Sequence, residues 1–325
     1  MRILIGSCGG LTGLYLSKVL REMCIDNNKI EIFGFDTTEE VPTKFFLDHL
    51  FIISRASEEH LFKQQLISIL NEYKIDIYIP VHSEECRVVA KYQKEILEYT
   101  RTKFMISPYD TFKALDDKKV AYDVLNKIGV KTPKLYETYN EINNFPVVAK
   151  PRLGSGSKRF FLCNSIDEVE VIKKKYSDLI FMEYIDGTEY TVDAFFNKEG
   201  KLVTYNQRVR VKTLGGAAII TKNDFSIDIR NDIEKIALEY KMIGPVNFQF
   251  FYTPQNEIIF TDINLRFASG GLPLSIKSGA NVIELLIMEL LGKKYDPRRY
   301  QSDRKRRVMY RYFEEIFEEL ENAHL

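Results

Sequence analysis

Three polar residues alternate with apolar ones in the run "EIIFTDINLRF": Asp262, Asn264 and Arg266. Side chains alternate between the two faces of a strand, so we expect these three on one face, with Ile263 and Leu265 turned into a core. A carboxylate, an amide oxygen and a guanidinium on one face suit a Mg²⁺ ion together with a phosphate group. Asp262 and Asn264 are therefore candidate metal ligands and Arg266 a candidate catalytic residue. A solvated strand face is the alternative for this stretch alone.

Gln249 lies on the strand predicted just before this one, in "VNFQFFYT". The turn around "TPQNE" would make the two strands a hairpin and bring Gln249 close to Asp262. The side-chain oxygens of this region, with oxygens of a triphosphate, would then complete a metal site.

A second candidate site begins at Lys150, at the end of the apolar run "FPVVAK". The "GSGS" loop, 154–157, follows it. A lysine at a strand end beside a loop of small residues can neutralise a phosphate whose oxygens meet backbone N–H groups. The spacing is not GxxxxGK[ST], and an ordinary surface lysine is the alternative.

The stretch "FMEYIDGTEY" predicts a strand and a turn with a glutamate on each side, Glu183 and Glu189. An exposed strand end can offer its backbone and Glu183 to an adenine edge, while Glu189 could hold ribose hydroxyls. Two solvated glutamates beside a turn are the alternative.

The N-terminal loop, 6–13, follows a strand and opens a helix, which makes it a natural anion site. Asp36 ends the second strand, where a dinucleotide-binding fold would place its ribose-binding acid. The glycine spacing is GxxGGxxG and departs from GxGxxG at the second glycine. A tight turn or a contact with a substrate anion is therefore favoured over a bound dinucleotide.

Two further stretches could serve the substrate. "YNQRVRVKTLGGAA" places Arg208 and Arg210 on one strand face, where they could hold an acceptor carboxylate or a γ-phosphate. "PVHSEEC" lies where open α/β sheets bind ligands, which makes His82 and Glu84 weaker candidates. A capped helix start is the favoured explanation of that second stretch.

Composition excludes several classes of protein. Lys and Arg number 46, and so do Asp and Glu, so binding of nucleic acid through bulk charge is not expected. The four cysteines form no CxxC pair, and the start has no long apolar segment typical of a secretory signal. The most apolar helical run, "NVIELLIMELLG", is too short for a bilayer. We expect a cytoplasmic protein without a membrane partner, whose basic tail "RRYQSDRKRRVMYRYF" is a surface strand or a subunit contact.

The elements that must position these residues divide the chain in three. The first hundred residues alternate strands and helices in a βα pattern, which predicts a parallel sheet. We place an N-terminal Rossmann-like domain at 1–108, a small subdomain at 109–188 and a C-terminal subdomain with the metal site and basic tail at 189–325. The class is α/β, with α+β character in the C-terminal part.

Together these residues resemble the ATP-grasp superfamily, in particular the large subunit of carbamoyl phosphate synthetase and related stand-alone carboxylate–amine ligases. The resemblance runs from residue 1 to about 295. It rests on four motifs in order: "DDKKVAYDVLNKIGVKTP", "FPVVAKPRLGSGS", "FMEYIDGTEYTVD" and "VNFQFFYTPQNEIIFTDINLRFASGG". It implies an ATP-grasp fold with a pre-ATP-grasp domain, a lid subdomain and an ATP-binding domain.

The resemblance also implies roles for individual residues. Lys118, or its neighbour Lys119, would contact nucleotide phosphate, as would Lys150. Gly154, Ser155, Gly156 and Ser157 would form the cover over the phosphates. Glu183, Tyr184 and Ile185 fall where the family holds adenine, Glu189 where it holds ribose, Asp262 and Asn264 where it holds metal, and Arg266 where it has an arginine.

Two positions depart from the family pattern. Most members have Glu at the position of Asp262, and many have a second acid at the position of Gln249, although the synthetase-like branch also uses glutamine there. Fewer carboxylates leave open whether one or two Mg²⁺ ions bind.

The activity that the resemblance implies is ATP-dependent ligation. A small carboxylate is activated as an acyl phosphate with Mg-ATP and then joined to an amine. The cofactors would be ATP and Mg²⁺, with Mn²⁺ as the alternative ion, and the partners would be small molecules, with a homodimer left open. The alternatives are a carboxylate or carbamate kinase, a non-catalytic nucleotide-binding module and, last, a dinucleotide oxidoreductase.

Overall fold

The computed structural model describes residues 1–25, 28–154 and 159–319, which form a mixed α/β structure built around three larger sheets. Within these residues no helix combines the length and the apolar character needed to cross a membrane.

The first sheet is parallel, as predicted from the βα pattern, and has the strand order β5-β4-β1-β6. This is the 3-2-1-4 order of a doubly wound fold, with a small β2-β3 hairpin outside it. The strands are β1 Arg2–Ile5, β2 Cys24–Ile25, β3 Asn28–Lys29, β4 Glu31–Asp36, β5 His49–Ile52 and β6 Ile77–Ile79. The helices are α1 Leu11–Glu22, α2 Glu59–Glu72, α3 Ser83–Lys91 and α4 Gln93–Tyr99, with a 3₁₀ turn at Pro42–Phe46.

Two features of this region differ from the sequence pattern. The helical pattern of "EECRVVAKYQKEIL", 84–97, predicts one helix, but the structure has two, and the break falls at Tyr92, whose hydroxyl donates to Glu59 on α2 at 3.1 Å. Strand β5 was not expected. It lies at the edge of the sheet and is partly exposed, so it lacks the continuous apolar run of a central strand.

The second sheet is antiparallel and small, with the order β7-β10-β8-β9. Its strands are β7 Leu135–Tyr136, β8 Val147–Pro151, β9 Phe161–Cys163 and β10 Leu179–Glu183; the helices are α5 Tyr109–Leu115, α6 Lys118–Lys127 and α7 Ile166–Lys175. The carboxylate of Asp117 caps α6 by accepting from the N–H of Lys119 at 3.0 Å. The Ser165 hydroxyl caps α7 by accepting from the N–H of Glu168 at 3.3 Å.

The third sheet is antiparallel, with the order β15-β14-β11-β12-β13-β16. Its strands are β11 Thr188–Phe196, β12 Leu202–Leu214, β13 Ala217–Asn223, β14 Gly244–Tyr252, β15 Ile258–Asn264 and β16 Val308–Tyr310. The helices are α8 Arg230–Glu239, α9 Leu272–Lys277 and α10 Val282–Leu291. The basic tail thus contributes an edge strand, β16, which pairs with β13.

The third sheet has one polar and one apolar face. Tyr190, Val192, Phe248 and Phe250 are buried in the largest core cluster, and the residues between them face the opposite way. Period-two alternation therefore separates the two faces cleanly. The three larger sheets fall at residues 2–79, 135–183 and 188–310, while the exact domain boundaries stay a prediction.

Candidate nucleotide and metal site

A cavity of about 580 Å³ lies between the second sheet and the polar face of the third. Most of the predicted site residues that the structure describes line it: Lys118, Lys150, Gly154, Glu183, Tyr184, Ile185, Glu189, Arg208, Arg210, Gln249, Asp262, Asn264 and Arg266. Ser155, Gly156 and Ser157 lie outside the described residues. The structure brings the predicted residues together; their individual roles stay predictions.

The register of the strands in the third sheet determines which residues are neighbours on the floor of this cavity. Thr191 on β11 lies opposite Arg208 on one side and Gln249 on the other, and Gln249 lies opposite Asp262. Cross-strand neighbours on one face are close enough to interact. The predicted hairpin is confirmed, and it places Gln249 beside Asp262.

Arg266 lies two residues beyond the end of β15, so the observed strand is shorter than the alternating pattern predicts. Ile263 and Leu265 are buried, as expected from that alternation. The backbone bends at Leu265 and Arg266, where the N–H of Arg266 donates to the carbonyl of Asn264 at 2.8 Å, and Arg266 still lines the cavity.

Asp262 is held by two lysines that come from the second part of the chain. One of its carboxylate oxygens lies 2.9 Å from Nζ of Lys150, and the other lies 3.5 Å from Nζ of Lys118. Burial alone would raise the pKa of Asp262, but these two ammonium groups outweigh it and lower that pKa. The carboxylate is therefore ionised and available to a cation at neutral pH.

The two adjacent lysines have different surroundings, while which of them contacts phosphate stays a prediction. Lys118 is buried, and its Nζ donates to the carbonyl of Gly154 at 2.9 Å. Lys119 instead pairs at the surface with Glu137, at 2.7 Å. Only Lys118 of the two lines the cavity.

Arg266 is held by neutral acceptors. Its Nε donates to Oγ of Ser83 at 2.6 Å, and its terminal nitrogens donate to the carbonyl of Phe267 at 2.7 Å and to Oδ1 of Asn264 at 3.3 Å. No carboxylate forms an ion pair with it in the described ranges, although the charges of Asp116 and Asp262 act on it.

Arg208 and Arg210 both have carboxylate partners. Arg208 is fully buried, and its Nε donates to Asp193 at 3.0 Å, while Arg210 donates to Glu189 at 2.6 Å. The two arginines were expected to be open anion-binding groups. An ion pair reduces the charge each offers, so a substrate anion would meet Arg266 as the less compensated cation.

Glu189 has an environment that suits a hydrogen-bonding role. Burial raises its pKa and the charge of Asp262 adds to this, while Arg210 opposes the change. Glu189 lines the cavity, and its neighbour on β14, Phe251, is another lining residue.

Several apolar side chains line the cavity and suit a flat base. They are Pro133, Val148, Met182 and Phe251, and Met182, which lies opposite Val148, leads directly into the Glu183–Ile185 segment. The Glu183 side chain accepts from the N–H of Lys134 at 2.8 Å, so in this structure its carboxylate is engaged with the neighbouring backbone. The backbone of that segment remains the more direct candidate for contact with an adenine edge.

The donor set fits a Mg²⁺ ion that shares its ligands with a nucleotide. Asp262, Asn264 and Gln249 supply one carboxylate and two amide oxygens. Over the residues that the structure describes, no three His, Cys, Asp or Glu side chains cluster as a metal-binding group. Hard oxygen ligands in this small number match Mg²⁺, which usually keeps waters and phosphate oxygens in its shell.

The remaining candidates lie in the first domain. Asp36 accepts from the N–H groups of Gly9 and Thr37, both at 2.7 Å, and so holds the loop backbone. His82 caps α3, which matches the helix-start explanation, and Glu84 lies in the first turn of that helix. Sequence reasoning missed Ser83, although it occurs within the stretch "PVHSEEC" that was singled out.

Other cavity residues were also missed. Thr191 and Asn247 lie at register positions between predicted residues, and strand alternation around Glu189 and Gln249 was a signal that could have found them. Asp193 could likewise be placed beside Arg208 from the β11–β12 hairpin.

Solved structures share the fold of this chain. A structure of N5-carboxyaminoimidazole synthetase from Staphylococcus aureus complexed with ADP superposes with a TM-score of 0.73 at 17% identity, covering 94% of this chain and 81% of that one. At that identity the likeness concerns the fold. Together with the family match below, it confirms the predicted ATP-grasp fold and the resemblance to that superfamily.

The sequence of the C-terminal part also matches a family model. A family model described as "ATP-grasp in the biosynthetic pathway with Ter operon" matches residues 175–316. This segment contains most of the third sheet, with β16 and the predicted metal ligands.

Three curated relatives are similar over parts of the chain. A D-alanine–D-alanine ligase of Fusobacterium nucleatum is 42% identical over 162 residues, 46% of this chain and 55% of that protein. An L-arginine-specific L-amino acid ligase of Bacillus subtilis is 22% identical over 256 residues, 72% of this chain and 62% of that protein. A carbamoyl-phosphate synthase of Methanobrevibacter smithii is 24% identical over 178 residues, 52% of this chain and 47% of that protein. The chain thus spans about half to three fifths of the length of these relatives.

Proposed function

We propose that the protein is an ATP-dependent ligase that uses Mg-ATP to activate a small carboxylate as an acyl phosphate and joins it to an amine. The observation that carries the proposal is the grouping of Lys118, Lys150, Asp262, Asn264 and Arg266 around one cavity. Two of the three similar curated proteins are named as ligases of amino acids.

The charges of the site suit the approach of two anions. A carboxylate must come close to a polyanionic phosphate, so cations must lower their repulsion. Lys118 and Lys150 lie beside Asp262 on one side of the floor, and Arg266 lies beyond Asn264 on the other. We infer that the lysines hold phosphate oxygens and that Arg266 faces the transferring phosphoryl group.

The proposed reaction has two steps. An oxygen of the substrate carboxylate attacks the γ-phosphorus of ATP, the bond to the leaving ADP breaks, and an acyl phosphate forms. The nitrogen of a neutral amine then attacks the acyl carbon, phosphate leaves with the bonding electrons, and the amine loses a proton. The phosphoryl transfer depends on position and charge, so no nucleophilic side chain is required from the protein.

Asp262 and Asn264 would hold Mg²⁺ with nucleotide oxygens, and Gln249 lies beside them as a third oxygen donor. A bound Mg²⁺ neutralises phosphate charge and fixes the phosphate geometry. The chain's own part is to orient these oxygens from adjacent strands, at positions fixed by the β14–β15 register.

The test is ADP release with Mg²⁺ and a matrix of amino acids and small carboxylates, with products followed by mass spectrometry. Wild type is compared with Lys150→Met, and Lys119→Met serves as the matched control because its ammonium group pairs at the surface. We expect ADP release that requires one acid and one amine, a product mass equal to their sum minus water, and loss of both in Lys150→Met alone.

Two results would contradict the proposal. ADP formed with an acid but without any amine would indicate a carboxylate kinase. Binding of Mg-ADP without turnover across a broad matrix, with no acyl phosphate trapped by hydroxylamine, would indicate a nucleotide-binding module.

A further inference from the structure

The segment that follows β15 is held by the first domain. Arg266 donates from Nε to Oγ of Ser83 at 2.6 Å, across 183 residues of sequence. Two residues later, the carbonyl of Ala268 accepts from Oγ1 of Thr12 at 3.1 Å. Ser83 begins α3 and Thr12 lies in the first turn of α1, so two helix starts of the parallel sheet contact this segment.

Ser83 itself is fixed by a rigid turn. The carboxylate of Glu85 accepts from the N–H groups of Val81 and His82, at 3.2 and 3.1 Å, and from the hydroxyl of Tyr78 at 2.5 Å. Glu85 is fully buried. A side chain carried on such a turn can hold a second group within a narrow range of positions.

Arg266 depends on its acceptors for direction. The guanidinium is planar and presents its N–H groups in a fixed fork, so the acceptor of Nε sets the plane in which the terminal nitrogens point. Of the three acceptors named above, Phe267 and Asn264 are local to the segment, and Ser83 is the one that comes from the N-terminal part of the chain.

We propose that Ser83 is a positioning residue that aims Arg266 at the reacting phosphate, so that the first domain takes part in catalysis without lining the cavity. The expected effect on turnover rests on the proposed function. The expected effect on the position of Arg266 rests on the hydrogen bond alone. Loss of the Ser83 hydroxyl removes the acceptor of Nε, and small displacements of a group at the reacting centre cost about a hundredfold in rate.

The experiment compares Ser83→Ala and Ser83→Thr with wild type. Ser107→Ala is the matched control: Ser107 is also buried and also joins the N-terminal part of the chain to the third sheet, through the N–H of Ile243 at 3.0 Å. It lies apart from the cavity lining. Thermal unfolding of all three variants separates loss of folding from loss of position.

The first readout needs no substrate. The Nε–H signal of Arg266 is followed by NMR in arginine-labelled protein and assigned by its disappearance in Arg266→Lys. We expect slow exchange with water in wild type and in Ser83→Thr, exchange faster by at least about tenfold in Ser83→Ala, and no change in Ser107→Ala.

The second readout is turnover with the acid and amine found above. We expect kcat of Ser83→Ala to fall by about ten- to a hundredfold, with KM for ATP within about threefold of wild type. Ser83→Thr should keep most of the activity, and Ser107→Ala should keep its activity even if it unfolds at a lower temperature.

The proposal is overturned if Nε–H exchange in Ser83→Ala matches wild type, or if its kcat falls no further than that of Ser107→Ala. If no substrate pair gives turnover, the proposed function fails, while the exchange measurement still decides whether Ser83 fixes Arg266.

Discussion

The ammonium group of Lys150 lies 2.9 Å from a carboxylate oxygen of Asp262, although the two residues belong to different sheets. Lys118 approaches the other oxygen at 3.5 Å. Without a ligand, the carboxylate predicted to bind metal is thus compensated by the lysines predicted to bind phosphate. A bound metal ion would replace the two lysines beside Asp262, and a phosphate group would replace Asp262 beside the lysines. Binding of the metal and binding of the phosphate would therefore be coupled.

We expect Lys150→Met to bind Mn²⁺ more tightly than wild type when no nucleotide is present, by about five- to tenfold, because a competing cation has been removed from Asp262. Paramagnetic resonance of free Mn²⁺ measures this directly. Lys119→Met should match wild type, and Asp262→Asn should lose the site. A weaker Mn²⁺ affinity in Lys150→Met would show that Lys150 does not compete with the metal ion for Asp262.

Lys118→Met should lower the affinity for Mg-ADP by about ten- to a hundredfold, which corresponds to a hydrogen bond to a charged group. Lys119→Met should change it by less than about twofold, since Lys119 pairs with Glu137 at the surface. Titration calorimetry gives both values. Equal losses in the two variants would contradict the assignment of Lys118 to phosphate.

Glu189→Ala should reduce the ratio of the affinity for ATP to the affinity for 2′-deoxy-ATP. Glu189 lines the cavity and is predicted to hold a ribose hydroxyl, so its loss should lower the affinity for the nucleotide that has that hydroxyl by about tenfold. The deoxynucleotide is the internal control for any general damage. An unchanged ratio of the two affinities would place the ribose elsewhere.

The free energy of unfolding should depend on pH through Glu85. Burial raises its pKa above the ordinary range of a glutamate, against hydrogen bonds from Tyr78 and Ser7. Between the ordinary and the raised pKa the folded chain binds more protons than the unfolded chain, so the free energy of unfolding contributed by Glu85 falls as pH rises. Urea unfolding at a series of pH values should show this slope in wild type relative to Glu85→Gln. A difference between the two proteins that is constant with pH would rule it out.

Gly271→Ala should displace Arg208. A Cβ built on Gly271 would lie 1.9 Å from Cζ of Arg208, whose guanidinium is fixed by Asp193. Overpacking of this kind costs about 1–3 kcal/mol. Denaturant unfolding checks the loss, with Gly10→Ala as the control because its Cβ would meet nothing within 4 Å.

The site residues that sequence could predict are those whose signal is local. Asp262 and Asn264 were found from period-two alternation, and Lys150 from its place between an apolar strand and a loop of small residues. The fold followed from the order of such local motifs along the chain.

The partners of these residues were harder to predict because they come from distant parts of the chain. Nothing in the sequence around Ser83 indicates Arg266 as its neighbour, since that contact depends on how the first domain packs on the third sheet. The buried pair of Arg208 and Asp193 was likewise missed. The register of the β11–β12 hairpin could be derived from the sequence, but an arginine on a strand is also compatible with a solvent-exposed face.

The long separation of Ser83 and Arg266 has a consequence for protein synthesis. Chains grow at about 5–20 residues per second, so Arg266 is added roughly 10 to 40 s after Ser83. The strands of the first sheet all lie within residues 2–79, and that sheet can form during this interval. The segment carrying Arg266 would then meet a surface that is already folded, and the two helix starts would act as a template for the last part of the site to be made.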